Sequence, residues 1–185
     1  MIPNEIFKFF ADYVFTHTGI QYLEKDYYRL EGRLNDMVKM FDQPSVEKLY
    51  EMYKKNITPD MKAVLINIST NNETYFFRDG KPFHSLTHEI LPKVDQAFKG
   101  EPIKIWSAAS STGQDSYSIL MAIDSAFPPA FFNRVEVDAT DISTTALEKG
   151  RKGIYNGLDV QRGLPVSLLM KYFEQLPQSN NDWKI

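Results

Sequence analysis

Asp141 stands at the end of a short apolar run, Val135-Glu136-Val137-Asp138-Ala139-Thr140, 28 residues after Gly113. Gly113 closes a loop of small side chains, Ser107-Ala108-Ala109-Ser110-Ser111-Thr112, that follows another apolar run, Pro102–Trp106. In a strand–loop–helix–strand unit a ligand lies at the carboxyl ends of the strands, across the first loop. A carboxylate at the end of the second strand can accept hydrogen bonds from both hydroxyls of a ribose, and so Asp141 is a candidate for holding an adenosine. The competing reading is plain: acidic residues at strand ends also serve as helix N-caps. The loop has one glycine and no G-x-G-x-x-G, so it offers little close backbone approach to a pyrophosphate. That disfavours a dinucleotide or nucleotide-sugar enzyme.

The second cluster is Asn72-Glu73-Thr74-Tyr75-Phe76-Phe77-Arg78-Asp79. Arg78, placed directly after two phenylalanines, is drawn toward a site, and its planar fork suits a carboxylate. A surface pair with Asp79 is the alternative use of the same residue. His84 and His88 are spaced to share a helix face, but zinc takes three or four ligands and no third is in view. With no cysteine in the chain, thiol nucleophiles, disulfides and cysteine-ligated metals are excluded.

The elements that must position these residues fall into two classes. Residues 1–70 read as helices. Ile6, Phe9, Phe10, Tyr13 and Val14 form a stripe that Gly19 stops. Tyr28, Leu30, Leu34, Met37 and Val38 repeat the pattern over about 24–40, Ser45 is an N-cap for a third helix, and Thr58-Pro59-Asp60 opens a fourth. The pairs Phe9-Phe10 and Tyr27-Tyr28 are read as core. From about residue 100 the period changes: strand at 102–107, helix at 114–127, strand at 135–140, helix at 144–153. This βαβα order implies a parallel sheet.

Composition narrows the function classes further. Twenty-one Lys+Arg against 24 Asp+Glu give a net charge of −3, and the pI is about 5.6. No basic face for nucleic acid is advertised. Over residues 1–60 the count is eight basic to ten acidic, so the helical part shows no basic excess for an acidic target. The first residues lack a secretory pattern, and no apolar stretch approaches the ~20 residues of a membrane span. The expectation is a cytoplasmic protein that is not membrane-inserted.

Read together, these segments resemble the chemotaxis receptor methyltransferases of bacteria, the CheR family. Asn72–Asp79 resembles the family's N-E-T-x-F-F-R-D. Ile105-Trp106-Ser107-Ala108-Ala109-Ser110-Ser111-Thr112-Gly113-Gln114-Asp115-Ser116-Tyr117-Ser118 resembles its W-S-A-x-x-S-T-G-[EQ]-E-P-Y-S, and Ala139–Ile142 its A-[ST]-D-I. Gly153-Ile154-Tyr155, Arg162-Gly163-Leu164-Pro165 and Tyr172-Phe173 continue in the expected order.

The resemblance implies an α/β protein: an all-helical N-terminal domain (1–70, receptor-facing) and the front part of a Rossmann-like methyltransferase domain (71–185). It implies transfer of a methyl group from S-adenosylmethionine to glutamate carboxylates on the cytoplasmic methylation helices of chemoreceptors, leaving S-adenosylhomocysteine. It further implies that Arg78 lies against the methionine end as the candidate catalytic residue, that Asn72 and Thr74 contact the cofactor, that Asp115 faces its ammonium, and that Asp141 holds the ribose. The family glutamate and proline are Asp115 and Ser116 here, a shorter carboxylate and a freer backbone. Only two strands are readable before Ile185, and Asn181–Ile185 reads as the opening of another. The length therefore predicts an incomplete catalytic domain, and a non-catalytic receptor- or cofactor-binding module is the alternative.

Overall fold

Helix starts and stops are written locally in this chain. Thr58 accepts the Met61 N–H at 3.2 Å and Ser45 the Lys48 N–H at 3.4 Å, each satisfying an amide that the first helical turn leaves free. Gly19 ends the first helix with its own N–H returning to the Phe15 carbonyl at 2.8 Å. The structure, a computed structural model, describes residues 2–177, 179 and 181–185.

The chain divides into two units, Met1–Asn71 with Ile142–Thr144, and Asn72–Asp141 with Thr145–Ile185. The first holds α1 (Asn4–Thr18), α2 (Tyr27–Met40), α3 (Val46–Lys55) and α4 (Pro59–Ser69). Their apolar stripes meet in a core of Phe10, Val14, Leu30, Leu34, Met37, Leu49, Tyr53 and Leu65. Each such side chain contributes roughly 1.5–3 kcal/mol on burial. The last turn of α4 is held by two donors to the Ser69 carbonyl, Arg33 Nη1 at 2.9 Å and the Tyr22 hydroxyl at 3.1 Å. One expected core residue is not there: Tyr28 is 72 % exposed. It lies two residues from Leu30, about 200° around the helix, and so on the face opposite Leu30, Leu34 and Met37.

The second unit begins with α5 (Lys81–Ser85), a π-helical segment at Leu86–Ile90 and α6 (Leu91–Ala97). None of these was read from the pattern. His84 and His88 do share a face there, their rings stacked at 4.0 Å. Among the described residues no three His, Cys, Asp or Glu come together as a metal-ligand group.

β1 (Ile103–Ala108) then pairs in parallel with β2 (Val135–Thr140), in register from Ile103 opposite Val135 to Ala108 opposite Thr140. Between them run α7 (Gln114–Ala126) and the short α8 (Pro129–Phe132). After β2 come α9 (Thr144–Lys152), β3 (Ile154–Asn156), α10 (Gly157–Gln161), α11 (Val166–Tyr172), β4 (Glu174–Gln175) and β5 (Asp182–Lys184). The Asn181–Ile185 strand is present as β5, but it joins β3 and β4 in a separate antiparallel sheet of order β3-β5-β4.

Two apolar stripes on α7 explain how it sits between these sheets. Ile119 and Ile123 pack with Leu91, Ile103, Phe131 and Val135, on the β1–β2 side. Tyr117 and Met121 pack with Phe76, Tyr155, Leu164 and Phe173, on the side of the antiparallel sheet. The other face of β1–β2 carries Lys104, Trp106, Glu136 and Asp138 into solvent. There Lys104 pairs with Glu136 at 3.2 Å, and the Trp106 indole N–H donates to Thr140 Oγ1 at 2.9 Å.

Candidate functional site

The loop from β1 to α7 has an unusual backbone. Ala109 (φ 54°), Ser111 (φ 50°) and Gly113 (φ 91°) alternate in the left-handed region. For an L-residue each such conformation costs of order 1 kcal/mol or more, so the surroundings must hold it. They do so with specific bonds. The Ser111 N–H donates to Asp141 Oδ2 at 2.8 Å, and the Ser111 hydroxyl donates to the Asn72 carbonyl at 2.8 Å. The Ser110 N–H donates to the Thr140 carbonyl at 2.9 Å. From behind, the buried Tyr155 hydroxyl donates to the Thr112 carbonyl at 2.7 Å and the Tyr117 hydroxyl to the Gly150 carbonyl at 2.9 Å. At Gly113 the φ favours glycine and the space is tight. A Cβ there would come within 3.1 Å of the Tyr155 oxygen and 3.2 Å of the Gly150 Cα.

The Asn72–Asp79 segment is strained in the same way, with Phe77 at φ 52° and Asp79 at φ 60°. Phe76 is fully buried against Tyr155 and Phe173. The Phe77 N–H donates to the Ser118 hydroxyl on α7 at 2.9 Å, and that hydroxyl donates to the Gln114 carbonyl at 2.7 Å. Phe77 turns into the apolar cluster and Arg78 turns out.

Arg78 and Asp115 line one open pocket of about 470 Å³, with Phe83, Leu86, Ile105 and Ile119 as apolar walls. The Arg78 side chain is half exposed, 4.0 Å from Asp79 through Nε, and its Nη1 donates to the Glu73 carbonyl at 3.3 Å. Both sequence readings of Arg78, surface pair and pocket cation, describe the same side chain. Asp115 sits in the first turn of α7. Burial pushes its carboxyl above the usual carboxylate range, the nearby Arg78 charge pulls it down, and Asp79 adds to the rise.

Three buried polar atoms here have no partner among the described residues: Asp115 Oδ1, Thr74 Oγ1 and Ser110 Oγ. A buried unpaired polar atom costs free energy, and three on the segments around one loop point to a polar ligand that completes them. Ser116 uses its hydroxyl to bond Ser107 Oγ across the loop at 3.0 Å.

The five site residues expected from sequence therefore fall into two linked groups. Ser111 ties the Asn72 carbonyl to the Asp141 carboxylate. Arg78 and Asp115 share the pocket at the start of α7. Thr74 lies on the segment between, its hydroxyl buried. Ser110, Ser118 and Tyr155 were not singled out for the site. Ser118 and Tyr155 lie inside matched motifs, but the bonds that tie them to the site, from the Phe77 N–H and to the Thr112 carbonyl, span 41 and 43 residues, which spacing does not announce.

A cation and an anion in one pocket suit an amino-acid zwitterion, and a strand-end carboxylate suits a ribose diol. Residues 72–184 match the family model described as CheR methyltransferase, SAM binding domain. A chemotaxis protein methyltransferase of Vibrio parahaemolyticus is 34 % identical over 175 residues, covering 94 % of this chain and 63 % of its own length. Chemotaxis protein methyltransferase 1 of Pseudomonas aeruginosa is 33 % identical over 177 residues, covering 92 % of this chain and 63 % of its own. A chemotaxis protein methyltransferase of Borreliella burgdorferi is 33 % identical, at 88 % and 59 %. The chain thus spans about three fifths of the length of these relatives. The match over 72–184 makes the chain a member of the CheR methyltransferase family.

Proposed function

We propose that the protein represented by this chain transfers a methyl group from S-adenosylmethionine to glutamate carboxylates on the cytoplasmic helices of bacterial chemoreceptors, giving methyl esters. The observation that carries this reading is the presence of Arg78 and Asp115 in the lining of one pocket, Asp115 Oδ1 being buried without a partner among the described residues. Arg78 would hold the carboxylate of the methionine end and Asp115 its ammonium. Asp141, fixed by the Ser111 N–H, would accept the ribose hydroxyls. Asn72 and Thr74 would contact the ligand between them. In this reading the domain is Rossmann-like, the helical residues 1–70 face the receptor, and the protein works in the cytoplasm. Among the described residues no helix is long and apolar enough to cross a membrane.

The bound cosubstrate supplies a methyl on a positively charged sulfur, a ready leaving group. Transfer forms an O–C bond as the C–S bond breaks, and the sulfur keeps the electron pair. A glutamate carboxylate is already ionised at neutral pH, so the protein need supply no base. Its task is alignment and partial desolvation of the acceptor. Arg78 is placed to orient the reacting groups. The test is transfer of labelled methyl groups from S-adenosylmethionine to receptor-containing membranes. Label released as methanol by alkali supports the ester reading. Binding of S-adenosylmethionine without transfer favours the binding-module alternative.

A further inference from the structure

Arg162 lies more than eighty residues from the Asn72–Asp79 segment in sequence, yet the fold lays it on that segment at three successive points. Its Nη2 is 2.8 Å from Glu73 Oε1, and its guanidinium stands 4.4 Å from the centre of the Tyr75 ring. Gly163 follows at φ 81°, so close to the Phe76 carbonyl that a Cβ would stand 2.0 Å from the oxygen. Leu164 is buried in the same cluster as Phe76. Arg-Gly-Leu is thus a single docking device: a charge on Glu73, a bare backbone under Phe76, an apolar anchor beneath.

Glu73 touches both arginines. Its carboxylate takes Arg162 and its carbonyl takes Arg78 Nη1 at 3.3 Å. Arg78 also approaches the Tyr75 ring, at 5.9 Å. A Glu73 carboxylate released from Arg162 would have Arg78 as a nearby cation, and an Arg78 paired there is drawn from its pocket. We propose that Arg162 is a positioning residue: by engaging the Glu73 carboxylate and the Tyr75 ring, it keeps the Arg78 fork available for a ligand carboxylate. This rests on the cofactor reading above and deepens it.

The test is calorimetric titration of the full chain with S-adenosylmethionine, beside hydrogen exchange at the Phe77 and Gly80 amides. The Phe77 amide is bonded across to Ser118 Oγ on α7, and the Gly80 amide to the Phe77 carbonyl within the segment's turn. Arg162→Ala is expected to weaken binding about five- to tenfold, the scale of one exposed ion pair plus one cation–π contact. Glu73→Gln alone leaves binding near the parent value. In the double variant the competing carboxylate is gone, and affinity returns to within about twofold. Arg162→Lys keeps the ion pair and recovers part of the loss. A merely structural role gives no rescue by Glu73→Gln, and that result, or unchanged binding in Arg162→Ala, overturns the proposal. Exchange at the two amides should quicken in Arg162→Ala whether or not a ligand binds. If the parent chain takes up no S-adenosylmethionine, the proposed function fails. Quickened exchange then upholds the clamp by itself, and unchanged exchange overturns it.

Discussion

Replacing Asp115 with asparagine should make the free protein more stable and its ligand binding worse. The carboxylate is half-buried, and its Oδ1 meets no donor among the described residues. Burial raises its pKa in the folded chain, with Arg78 opposing and Asp79 adding. A carboxyl whose folded pKa exceeds the unfolded value, near 3.9, binds more protons when folded. Its favourable contribution is present below that unfolded value and is lost as pH rises through the folded pKa. At neutral pH the charged side chain is therefore a net cost to the free protein. The asparagine keeps an acceptor in the same place, so what the substitution recovers is the extra cost of burying charge, ~1–3 kcal/mol at full burial. Partial exposure and the forfeited Arg78 attraction reduce the net gain in Asp115→Asn to about 1 kcal/mol, a rise in Tm of about 2–4 °C.

Against that, the variant loses the charge-assisted bond to the ligand ammonium that we propose for Asp115. At ~1.5–3 kcal/mol this weakens S-adenosylmethionine about 10- to 150-fold. Thermal melts followed by circular dichroism, beside calorimetry, read both quantities. A variant that melts earlier than the parent, or one that binds within twofold of it, refutes the reasoning. Asp115→Glu, whose side chain reaches one methylene further, should tighten binding severalfold.

Tyr155→Phe removes one buried hydroxyl that holds the Thr112 carbonyl; a loss of about 1 kcal/mol is expected in denaturant melts read from Trp183, its cross-strand neighbour. Burial also raises the Tyr155 and Tyr53 pKa values, so stability present below about pH 10 is lost at higher pH, and Tyr155→Phe should flatten part of that alkaline fall. Gly163→Ala forces a Cβ onto the Phe76 carbonyl at an unfavourable φ, and a loss of ~2–3 kcal/mol is expected; an unchanged melt would show that the segment can move aside. Arg78→Ala should fold normally, its side chain being half exposed, and should transfer methyl groups at least tenfold more slowly.

What the sequence made legible was local. Ser45 and Thr58 announce helix starts because the cap and the amide it satisfies are three residues apart. β1 and β2 are six-residue runs, and β2 matches the expected 135–140. The antiparallel sheet was hidden because β4 has two residues and β3 three, too few for an alternation, and because β3 pairs with β5 some thirty residues on. The 81–97 stretch was hidden because Pro82, Pro92 and the π-helical turn break the helical period. At the site, residue types suggested Asp141 and Arg78. Nothing in spacing revealed that Asn72 would offer its carbonyl to Ser111, or that Ala109 and Ser111 would take left-handed conformations. Those are decided by long-range bonds.

The central claim is that residues 72–141 build a site for S-adenosylmethionine, and calorimetric titration of the chain tests it most directly. One S-adenosylmethionine per chain should bind, competed by S-adenosylhomocysteine, weakened by Asp115→Asn and Asp141→Ala, with no heat from NAD. Absence of binding, or binding indifferent to both substitutions, would contradict it.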